Sequence, residues 1–555
     1  MNTTPARWNV YMPLLFAVVM IIGMQLGFKL YENLKGKPTM SAFKGGNLSE
    51  LQEILSLVDN RYVDTINNNQ LLEHVIEQTL QDLDPHSAYI TPDELQEVNE
   101  SLEGNFVGIG IEFALVNDTV VVVTPISGGP SEKLGIMAGD KIIEINDSLV
   151  AGVGITNKTV MNSLRGERGT EVAVSILRPG VKELIDYTIV RDDIPIVSVD
   201  AAFMMDNQVG YIKINRFSAN TYNEFMDNLL KLKEQGMTKL MIDLRQNPGG
   251  YLNAAVSIAD ELIDGSKLLV YTQGRTYERK DYTATGRRIG NFEIGDLVLL
   301  IDEGSASASE ILAGAIQDWD RGTLIGRRTF GKGLVQEQYN LSNGGALRLT
   351  VARYYTPTGR SIQKPYNDGY DAYEEELNQR LEDGELLGND SIHGKKQRTD
   401  TIAFKTLVKG RTVYGGGGIS PDVFVPLDTT GLENFTIKVR SLLPEFVYNY
   451  YSNNKQEFAN IIALKTFKQN YTISNAMYAQ FNALVKKKIG FVDEKLMKQN
   501  EQELKSYMKA YIAKQIWNYE GFYTVTQEVD KTLQEAYKQI TNPLSAESKP
   551  TTNKQ

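Results

Sequence analysis

The sequence contains no cysteine, and this absence excludes several kinds of chemistry at once. None of its 555 residues carries a thiol. Disulfide bonds, zinc–thiolate sites, a thiol nucleophile and a lipid-modified N-terminal cysteine are therefore all excluded. The absence does not indicate a compartment, because proteins without cysteine occur in oxidising and reducing compartments alike.

Histidine and concentrated positive charge are also scarce. The chain has only three histidines, and 58 Lys and Arg residues stand against 69 Asp and Glu residues, for a net charge of −11. The basic residues are scattered rather than grouped into a stripe, so nucleic acid is not an expected partner. The 42% hydrophobic and 23% charged content is typical of a globular protein, and the length predicts several domains.

One long hydrophobic run lies near the N terminus. The segment NVYMPLLFAVVMIIGMQLGF, Asn9 to Phe28, is 20 residues long and carries no formal charge, which matches a hydrocarbon core of about 30 Å. A cleaved signal peptide or a buried core helix would be shorter or less uniformly apolar, and no A-x-A-like cleavage site follows. The segment predicts an uncleaved N-terminal anchor over residues 1–30. It further predicts a single-pass protein of the inner membrane whose remaining chain lies on the exported, periplasmic side.

The remaining chain divides by pattern into four regions. Apolar spacing predicts helices over residues 47–104, and short β-rich runs separated by Gly, Pro, Asn and Asp predict a mostly-β module over residues 105–192. Apolar strands alternate with helices over residues 197–428, which is typical of an α/β sheet. A polar insertion, residues 364–414, interrupts that region. Residues 431–545 are predicted to be helical again.

The serine-rich stretch DEGSASASEILAGAIQDW, residues 302–319, has two interpretations. Ser307 and Glu310 have the S-x-x-E spacing of a capping box. The stretch also follows the apolar strand LVLLI, and ligands of open α/β sheets bind beyond the carboxyl ends of strands. A serine there would lie beside unpaired N–H groups that stabilise negative charge. A second turn, DLRQNPGGYL, residues 243–252, could supply another N–H. The residues alone leave the cap and the nucleophile both open.

A serine nucleophile needs a base, and the three histidines are poor candidates. His74 lies in the first helical region, His86 in the turn DPHSAY and His393 in the polar insertion, and none has an evident Asp partner in the α/β region. Lys332 lies between two glycines in RTFGKGLVQEQYNL. Burial there would lower the pKa of its amine toward neutrality, and Gln336 could hold the amine without adding charge.

Taken together, these segments resemble the carboxyl-terminal processing peptidases, also called tail-specific proteases. GSASASEILAGAIQDW, GRRTFGKGLVQ, DLRQNPGG, ARYYTPTGRSIQ, GGISPDV, LDPHSAYITPDE and FVGIGIEF occur in the family's order between about Leu51 and Val425. The resemblance implies a multidomain α+β protein. Its α/β core would be ClpP/crotonase-like, with an inserted mostly-β PDZ domain, an N-terminal helical region and a C-terminal helical extension.

The resemblance also implies a serine endopeptidase with a Ser-Lys dyad and acyl-enzyme chemistry. Ser307 would be the nucleophile, Lys332 the base and Gln336 the residue that orients the base. The backbone N–H groups of Ala308 and Gly249 would form the oxyanion hole. No cofactor and no metal are implied.

The resemblance implies that residues 105–192 are a PDZ domain with VGIGIEF as its carboxylate-binding loop. Successive N–H groups at Gly108, Ile109, Gly110 and Ile111 could cradle a terminal carboxylate, while an extended peptide adds to the neighbouring strand. Ile109 and Ile111, together with Phe113, would line a pocket for the last side chain. The expected partners are exported proteins and peptides with apolar C-termini.

Two segments depart from the family pattern. The polar insertion and the helices beyond Val425 carry none of its motifs, and neither is expected to touch the dyad. The C-terminal helices could mediate self-association, bind an adaptor or cap the core, and the sequence does not choose. Two competing functions remain: a non-catalytic PDZ scaffold or chaperone that keeps the peptidase fold, and a trypsin-like PDZ protease with His86 as base.

Overall fold

The computed structural model describes residues 45–116, 118–126, 128–286, 291–388, 402–429 and 433–542. The chain forms two compact units, Met1–Glu77 and Gln78–Gln555. The first contains helix α1 (Gly45–Arg61) and most of helix α2 (Asn68–Gln81). The second begins with the end of α2 and continues into strand β1 (Ala88–Ile90) and helix α3 (Pro92–Glu103), which starts with proline at its first position.

A mostly antiparallel module follows α3. Its elements are β2 (Asn105–Gly108), β3 (Ile111–Leu115), β4 (Val120–Pro125), α4 (Pro130–Lys133), β5 (Lys141–Ile145), β6 (Ser148–Leu149), α5 (Asn157–Leu164), β7 (Glu171–Leu177), β8 (Ile185–Val190) and β9 (Asp192–Pro195). The sheet has the order β3-β4-β5-β7-β8, so β3 lies at an edge. Strand β2 pairs with β9 where the chain enters and leaves the module. Val172, Val174 and Ile176 alternate with less buried residues along β7 and point into the core of the module.

Strands and helices then alternate. The elements are β10 (Val199–Met204), β11 (Val209–Ile214), α6 (Thr221–Glu234), β12 (Lys239–Asp243), α7 (Leu252–Leu262), β13 (Leu268–Gln273), β14 (Lys280–Thr283), β15 (Asp296–Ile301), α8 (Ala308–Asp318), β16 (Thr323–Gly326), β17 (Leu334–Asn340) and β18 (Ala346–Tyr355). The apolar runs VGYIKI, KLMIDL and LVLLI coincide with β11, β12 and β15 to within one residue. Helix α6 buries Phe225, Leu229 and Leu232 on one face.

The predicted insertion contains helix α9 (Tyr370–Glu382) and a small hairpin of β19 (Ala403–Lys405) and β20 (Thr412–Tyr414). Strand β21 (Val423–Phe424) follows and returns to the main sheet. That sheet has the order β10-β11-β12-β15-β16-β21, and all its pairs except β10–β11 are parallel. A second, antiparallel sheet has the order β1-β18-β13-β14, with β17 paired to β18.

The C-terminal region is helical, as predicted. Its helices are α10 (Asn434–Ser441), α11 (Leu443–Asn453), α12 (Lys455–Phe458), α13 (Leu464–Asn470), α14 (Asn475–Ile489), α15 (Glu494–Gln499), α16 (Glu501–Thr526) and α17 (Lys531–Thr541). Apolar residues of these helices are buried in one cluster, which includes Met477, Phe481, Leu504 and Met508. Helix α16 is interrupted at Trp517 and Asn518, whose backbone angles are not helical.

The last of these helices covers the second face of the main sheet. Leu299 and Ile301 of β15 pack toward helices α6, α7 and α8, whereas Val298 and Leu300 pack against Leu533, Ala536 and Ile540 of α17. Successive strand residues point to opposite faces, so a parallel sheet needs a cover on both. Helix α17 supplies that cover, and capping of the core is thus one role that the C-terminal helices fill.

An ion pair fixes the start of α17 against the sheet. Asp530 accepts the Leu533 N–H at 2.9 Å and caps the helix. Its carboxylate also receives two hydrogen bonds from Arg245, at 2.9 and 2.7 Å. Arg245 in turn binds Asp243 at the end of β12, and these contacts hold the pKa of the buried Asp243 carboxyl well below its usual range although burial opposes them.

The described helices do not support the predicted location in the membrane. Within the ranges given above, no helix combines the length and the apolar character needed to cross a bilayer. This contradicts the prediction of a single-pass inner-membrane protein with a periplasmic catalytic part. The hydrophobic segment Asn9–Phe28 and the predicted anchor of residues 1–30 lie outside the described residues.

Candidate active site and peptide-binding pocket

Ser307 occupies a tight turn between strand β15 and helix α8. Its backbone has φ +52°, a conformation that non-glycine residues rarely adopt. The side chain is half-buried, whereas Ala308 and the rest of the first helical turn are buried. A strained serine between a strand and a helix presents its hydroxyl at the carboxyl edge of the sheet.

The two neighbouring serines have structural partners instead. Ser305 Oγ donates to the Leu244 carbonyl at 2.8 Å, and Ser309 Oγ donates to the Asn247 carbonyl at 3.0 Å. Both side chains are fully buried. They join the serine turn to the turn that follows β12, which leaves Ser307 as the serine of the cluster that faces outward.

Gly249 approaches the start of α8 more closely than any other residue type could. A Cβ atom at Gly249 would lie 2.7 Å from Ser307 Cβ and 2.8 Å from the Ala308 nitrogen. Its φ is +96°, which also favours glycine. Ala308 is the first helical residue, so its N–H has no acceptor within the helix. The Gly249 N–H donates to Asn247 Oδ1 at 2.9 Å.

Glu310 links the serine turn to the segment that carries Lys332. Its carboxylate accepts the N–H groups of Ser307, Gly331 and Lys332 at 2.8–2.9 Å and the Thr329 hydroxyl at 2.5 Å. The Ser307 and Lys332 nitrogens are each 2.9 Å from the same oxygen, Oε2. From sequence, Glu310 is visible only as the last residue of a capping box. Its bonds to residues 329–332 could not be found that way.

The Lys332 amine lies in an environment that favours its neutral form. Burial lowers its pKa below the usual 10.5, and the charge of Arg348 lowers it further, while Asp84 and Glu310 oppose this. The amine donates to Gln336 Oε1 at 3.1 Å. The structure therefore brings together the predicted base and the predicted orienting residue. Between Ser307 Oγ and Lys332 Nζ, both within the described ranges, it shows no hydrogen bond.

Gln336 is itself held by the turn that contains His86. The Gln336 side-chain amide donates to the His86 carbonyl. The turn is organised by Asp84, whose carboxylate accepts the N–H groups of His86 and Ser87 at 2.9 Å. Thr350 of β18 donates to the same carboxylate at 3.0 Å. The LDPHSAYITPDE motif thus contributes to the site by supporting the lysine's partner.

The histidines do not form a triad in the part of the chain that the structure describes. His86 Nε2 lies 2.7 Å from the Tyr373 hydroxyl rather than against a serine. Burial, followed by the charge of Lys332, lowers the pKa of His86 to about 3. Its imidazole is therefore neutral and bonded elsewhere. His393 lies outside the described residues. The geometry gives no support to His86 as a base.

Helix α9 of the polar insertion lies against the segment that carries the lysine. Arg380 of α9 donates to the Arg328 carbonyl at 2.7 Å and to the Thr329 carbonyl at 3.3 Å. Arg328 forms an ion pair with Glu385 at 2.7 Å. Tyr373 on the same helix contacts the His86 ring. Polar composition suggested an excursion from the fold, but the Arg380 side chain is buried and bonds to the backbone of the lysine segment.

A cavity of about 90 Å³ opens in the mostly-β module. All five residues predicted to bind peptide line it, together with four others; the full set is Phe106, Gly108, Ile109, Gly110, Ile111, Phe113, Met161, Leu164 and Arg165. The cavity lies between edge strand β3 and helix α5. An edge strand can accept a further strand, and the lining is mainly apolar, so this arrangement suits an extended peptide with an apolar end.

Arg165 places a positive charge at this cavity. Its guanidinium stands 4.8 Å from the centre of the Phe106 ring and forms an ion pair with Glu100 of α3 at 2.9 Å. Glu100 lies outside the module, so one side chain of the pocket is bonded to the preceding helix. Met161 lies on helix α5 and Arg165 directly follows that helix. Neither was predicted from the sequence, because this segment carries no recognised motif.

Comparison with known proteins places these sites in a family. The model of peptidase family S41 matches residues 208–369, a PDZ domain model matches residues 107–189, and a family of unknown function (DUF8443) matches residues 436–518. The carboxy-terminal-processing protease of Bartonella bacilliformis is 34% identical over 366 residues, which cover 63% of this chain and 81% of that protein. The chain belongs to peptidase family S41.

A second curated protein and a solved structure are also similar to this chain. The carboxy-terminal processing protease CtpB of Bacillus subtilis is 32% identical over 320 residues, covering 57% of this S41 peptidase and 66% of that protein. The solved structure of a photosystem II D1 C-terminal processing protease shares 27% identity over 68% of this chain and 93% of that one, with a TM-score of 0.34. The predicted family, fold class and serine peptidase class are confirmed. The predicted domain limits remain predictions.

Proposed function

We propose that this S41 peptidase cleaves peptide bonds with Ser307 as nucleophile and neutral Lys332 as base, and that its PDZ domain binds the apolar C-terminus of the substrate. The observation that carries the proposal is the shared carboxylate of Glu310, which brings a strained, half-buried serine and a lysine of lowered pKa to one point. A lysine can act as a general base only when it is neutral, and burial supplies that condition.

In the acylation step, Ser307 Oγ attacks the carbonyl carbon of the scissile bond and its proton passes to Lys332 Nζ. The resulting ammonium then gives this proton to the leaving amine as the carbon–nitrogen bond breaks. Gln336 accepts a hydrogen bond from the amine and so directs Nζ. Because its amide is uncharged, it does not raise the pKa of the lysine as a carboxylate would. An ester of Ser307 remains.

In the deacylation step, water replaces the departed amine. Lys332 Nζ takes a proton from the water as its oxygen attacks the ester carbon. The bond to Ser307 Oγ then breaks, and the proton returns from the ammonium to that oxygen. The carboxylic acid product leaves, and both residues regain their initial protonation states.

Negative charge develops on the substrate oxygen in both steps. The Ala308 N–H points out of the first turn of α8, where the helix dipole favours an anion. Gly249 is the proposed second donor. Its N–H donates to Asn247 Oδ1 in this structure, so its part in the oxyanion hole requires an exchange of partners when substrate binds.

Replacing Gly249 by alanine is expected to lower kcat by about 10²-fold or more, because the added methyl group would fill the space in front of the Ala308 N–H. Steady-state cleavage of an unfolded substrate measures the effect. Gly265→Ala is the matched control: its φ is also positive, at +72°, but a Cβ there meets nothing within 4 Å. If the two variants lose the same activity, backbone strain rather than oxyanion access explains the loss.

Recognition of the substrate tail is proposed for the cavity beside β3. Its apolar lining suits an aliphatic last side chain, and the nearby Arg165 guanidinium favours a terminal carboxylate. The pocket is small, so it holds the end of a tail rather than a folded surface. The rest of the peptide would extend along the free edge of β3.

The proposal is tested with one unfolded substrate that ends in a free apolar residue and the same substrate with an amidated end. We expect the parent enzyme to cleave the free-acid form with a kcat/KM at least about tenfold higher. Met161→Glu, which places a like charge in the cavity, should remove that preference. Asn162→Glu adds the same charge at the neighbouring exposed position and should keep it. Equal cleavage of both substrates by the parent would contradict tail recognition.

A further inference from the structure

Two buried side chains bond to the backbones of both Ser307 and Lys332, one as a hydrogen-bond acceptor and the other as a donor. Glu310 accepts the N–H of each residue. Tyr354 directs its hydroxyl at the carbonyl of each residue, at 3.0 Å for Ser307 and at closer range for Lys332. The backbones of both residues of the proposed dyad are therefore bonded to the same two side chains.

Glu310 is fully buried, and its carboxylate accepts four hydrogen bonds. Three backbone N–H groups and the Thr329 hydroxyl point at its two oxygens. A carboxylate has about four lone-pair sites and can accept from all four donors. In a carboxamide, the NH2 group would face some of these donors and could not accept from them. Burial raises the pKa of Glu310 to about 7, and the four donors oppose a further rise.

Tyr354 lies on strand β18, distant in sequence from both residues that it contacts. Burial raises the pKa of its hydroxyl well above the usual range, so the group stays protonated and remains a donor. One hydroxyl carries one proton, which the two carbonyl oxygens must share. The two carbonyls are thereby kept close to a single point on strand β18, which is paired with β17.

We propose that Glu310 and Tyr354 are positioning residues that set the separation of Ser307 from Lys332. The proposal rests on the proposed Ser-Lys function. Ser307 lies at a helix start and Lys332 in a glycine-flanked segment, so their separation depends on contacts between the two segments. Glu310 and Tyr354 supply such contacts without having to touch the substrate. A misplacement of about 1 Å between reacting groups can cost on the order of 10²-fold in rate.

Tyr354→Phe is the milder test, since it removes a single oxygen. We expect kcat to fall about tenfold with KM nearly unchanged, and the rate of labelling by a fluorophosphonate probe to fall by the same factor. Tyr355→Phe, the adjacent residue on the other face of β18, is the control and should leave both rates at the parent level. A parent-like kcat and labelling rate in Tyr354→Phe would overturn the role of Tyr354.

Glu310→Gln adds a second measurement, the pH dependence of kcat, which a purely structural role of Glu310 would leave unchanged. The charge of Arg348 lowers the pKa of Lys332, whereas the charges of Asp84 and Glu310 raise it. Above pH 7, where Glu310 is ionised, its removal should shift the acid limb of the kcat profile to lower pH. The expected fall in kcat is about 10²-fold. Tyr354→Phe removes no charge and should leave the limb in place.

The double variant completes the test. If both residues hold the same pair, Glu310→Gln combined with Tyr354→Phe should lose less than the product of the two single effects. Independent, multiplicative losses or an unmoved acid limb would overturn the proposal. Should Glu310→Gln fail to fold by thermal melting, Tyr354→Phe and its control still decide the question. The parent's dependence on Ser307 and Lys332 is measured separately, so failure of the dyad and failure of its positioning are distinguishable.

Discussion

Ser307→Ala is expected to lower kcat for peptide cleavage by roughly 10⁴-fold or more, because no covalent intermediate can form without the hydroxyl. The small side chain fits the same turn, so KM and the melting temperature should change little. Quenched-flow or long-time cleavage assays on an unfolded substrate with a free apolar C-terminus measure the loss. Labelling by a fluorophosphonate probe should disappear in the same variant.

Ser309→Ala is the matched control for this prediction. Ser309 belongs to the same cluster, but its hydroxyl donates to the Asn247 carbonyl, which also accepts the Ala306 N–H. Its removal should therefore leave activity within a fewfold of the parent and labelling intact. A parent enzyme that neither cleaves nor labels at Ser307 would instead favour a PDZ scaffold that has kept the peptidase fold.

Lys332→Arg is expected to abolish activity to a similar degree although it keeps the positive charge. A guanidinium has a pKa above 12 and stays protonated in proteins, so it can donate hydrogen bonds but cannot accept the proton of Ser307. The burst of acyl-enzyme formation, followed by stopped-flow release of the first product, should vanish. Retained turnover in Lys332→Arg would exclude lysine as the general base.

The pH dependence follows from the lowered pKa of Lys332. The neutral amine is the active form, so kcat should rise with pH through that lowered pKa and level off above it. The unfolded chain binds this proton up to about pH 10.5, so the free energy of unfolding should also rise between the folded pKa and 10.5. Lys332→Met is expected to remove both effects and to raise the melting temperature near pH 7, because an apolar side chain carries no cost of desolvating an ammonium group.

Much of the main sheet could be predicted from the sequence because its strands are continuous apolar runs. VGYIKI and LVLLI are buried on both faces, and such runs bounded by turn residues leave few alternatives. The candidate residues were equally accessible: Ser307, Lys332 and Gln336 lie in compact motifs, and the structure brings the lysine and glutamine into contact.

The supporting residues could not be predicted because their partners are distant along the chain. Glu310 lies within a recognisable i to i+3 pattern, yet its bonds to residues 329–332 depend on how two loops meet. Tyr354 is one tyrosine in a strand, and nothing in its spacing indicates which carbonyls it meets. Polar composition was similarly misleading for residues 364–414, since Lys364 and Arg380 are buried there and Glu385 forms a partly buried ion pair with Arg328.

Amphipathic periodicity predicts that a helix face is buried, but it does not name the surface that covers it. The apolar face of α17 illustrates this, because its partner surface belongs to strands β11, β12, β15 and β16. Synthesis of the chain runs from the amino end, so those strands exist before their cover does. Until residues 531–541 have left the ribosome, the sheet beneath Ser307 has one bare apolar face. The order of translation thus places the covering of this sheet after the synthesis of every strand in it.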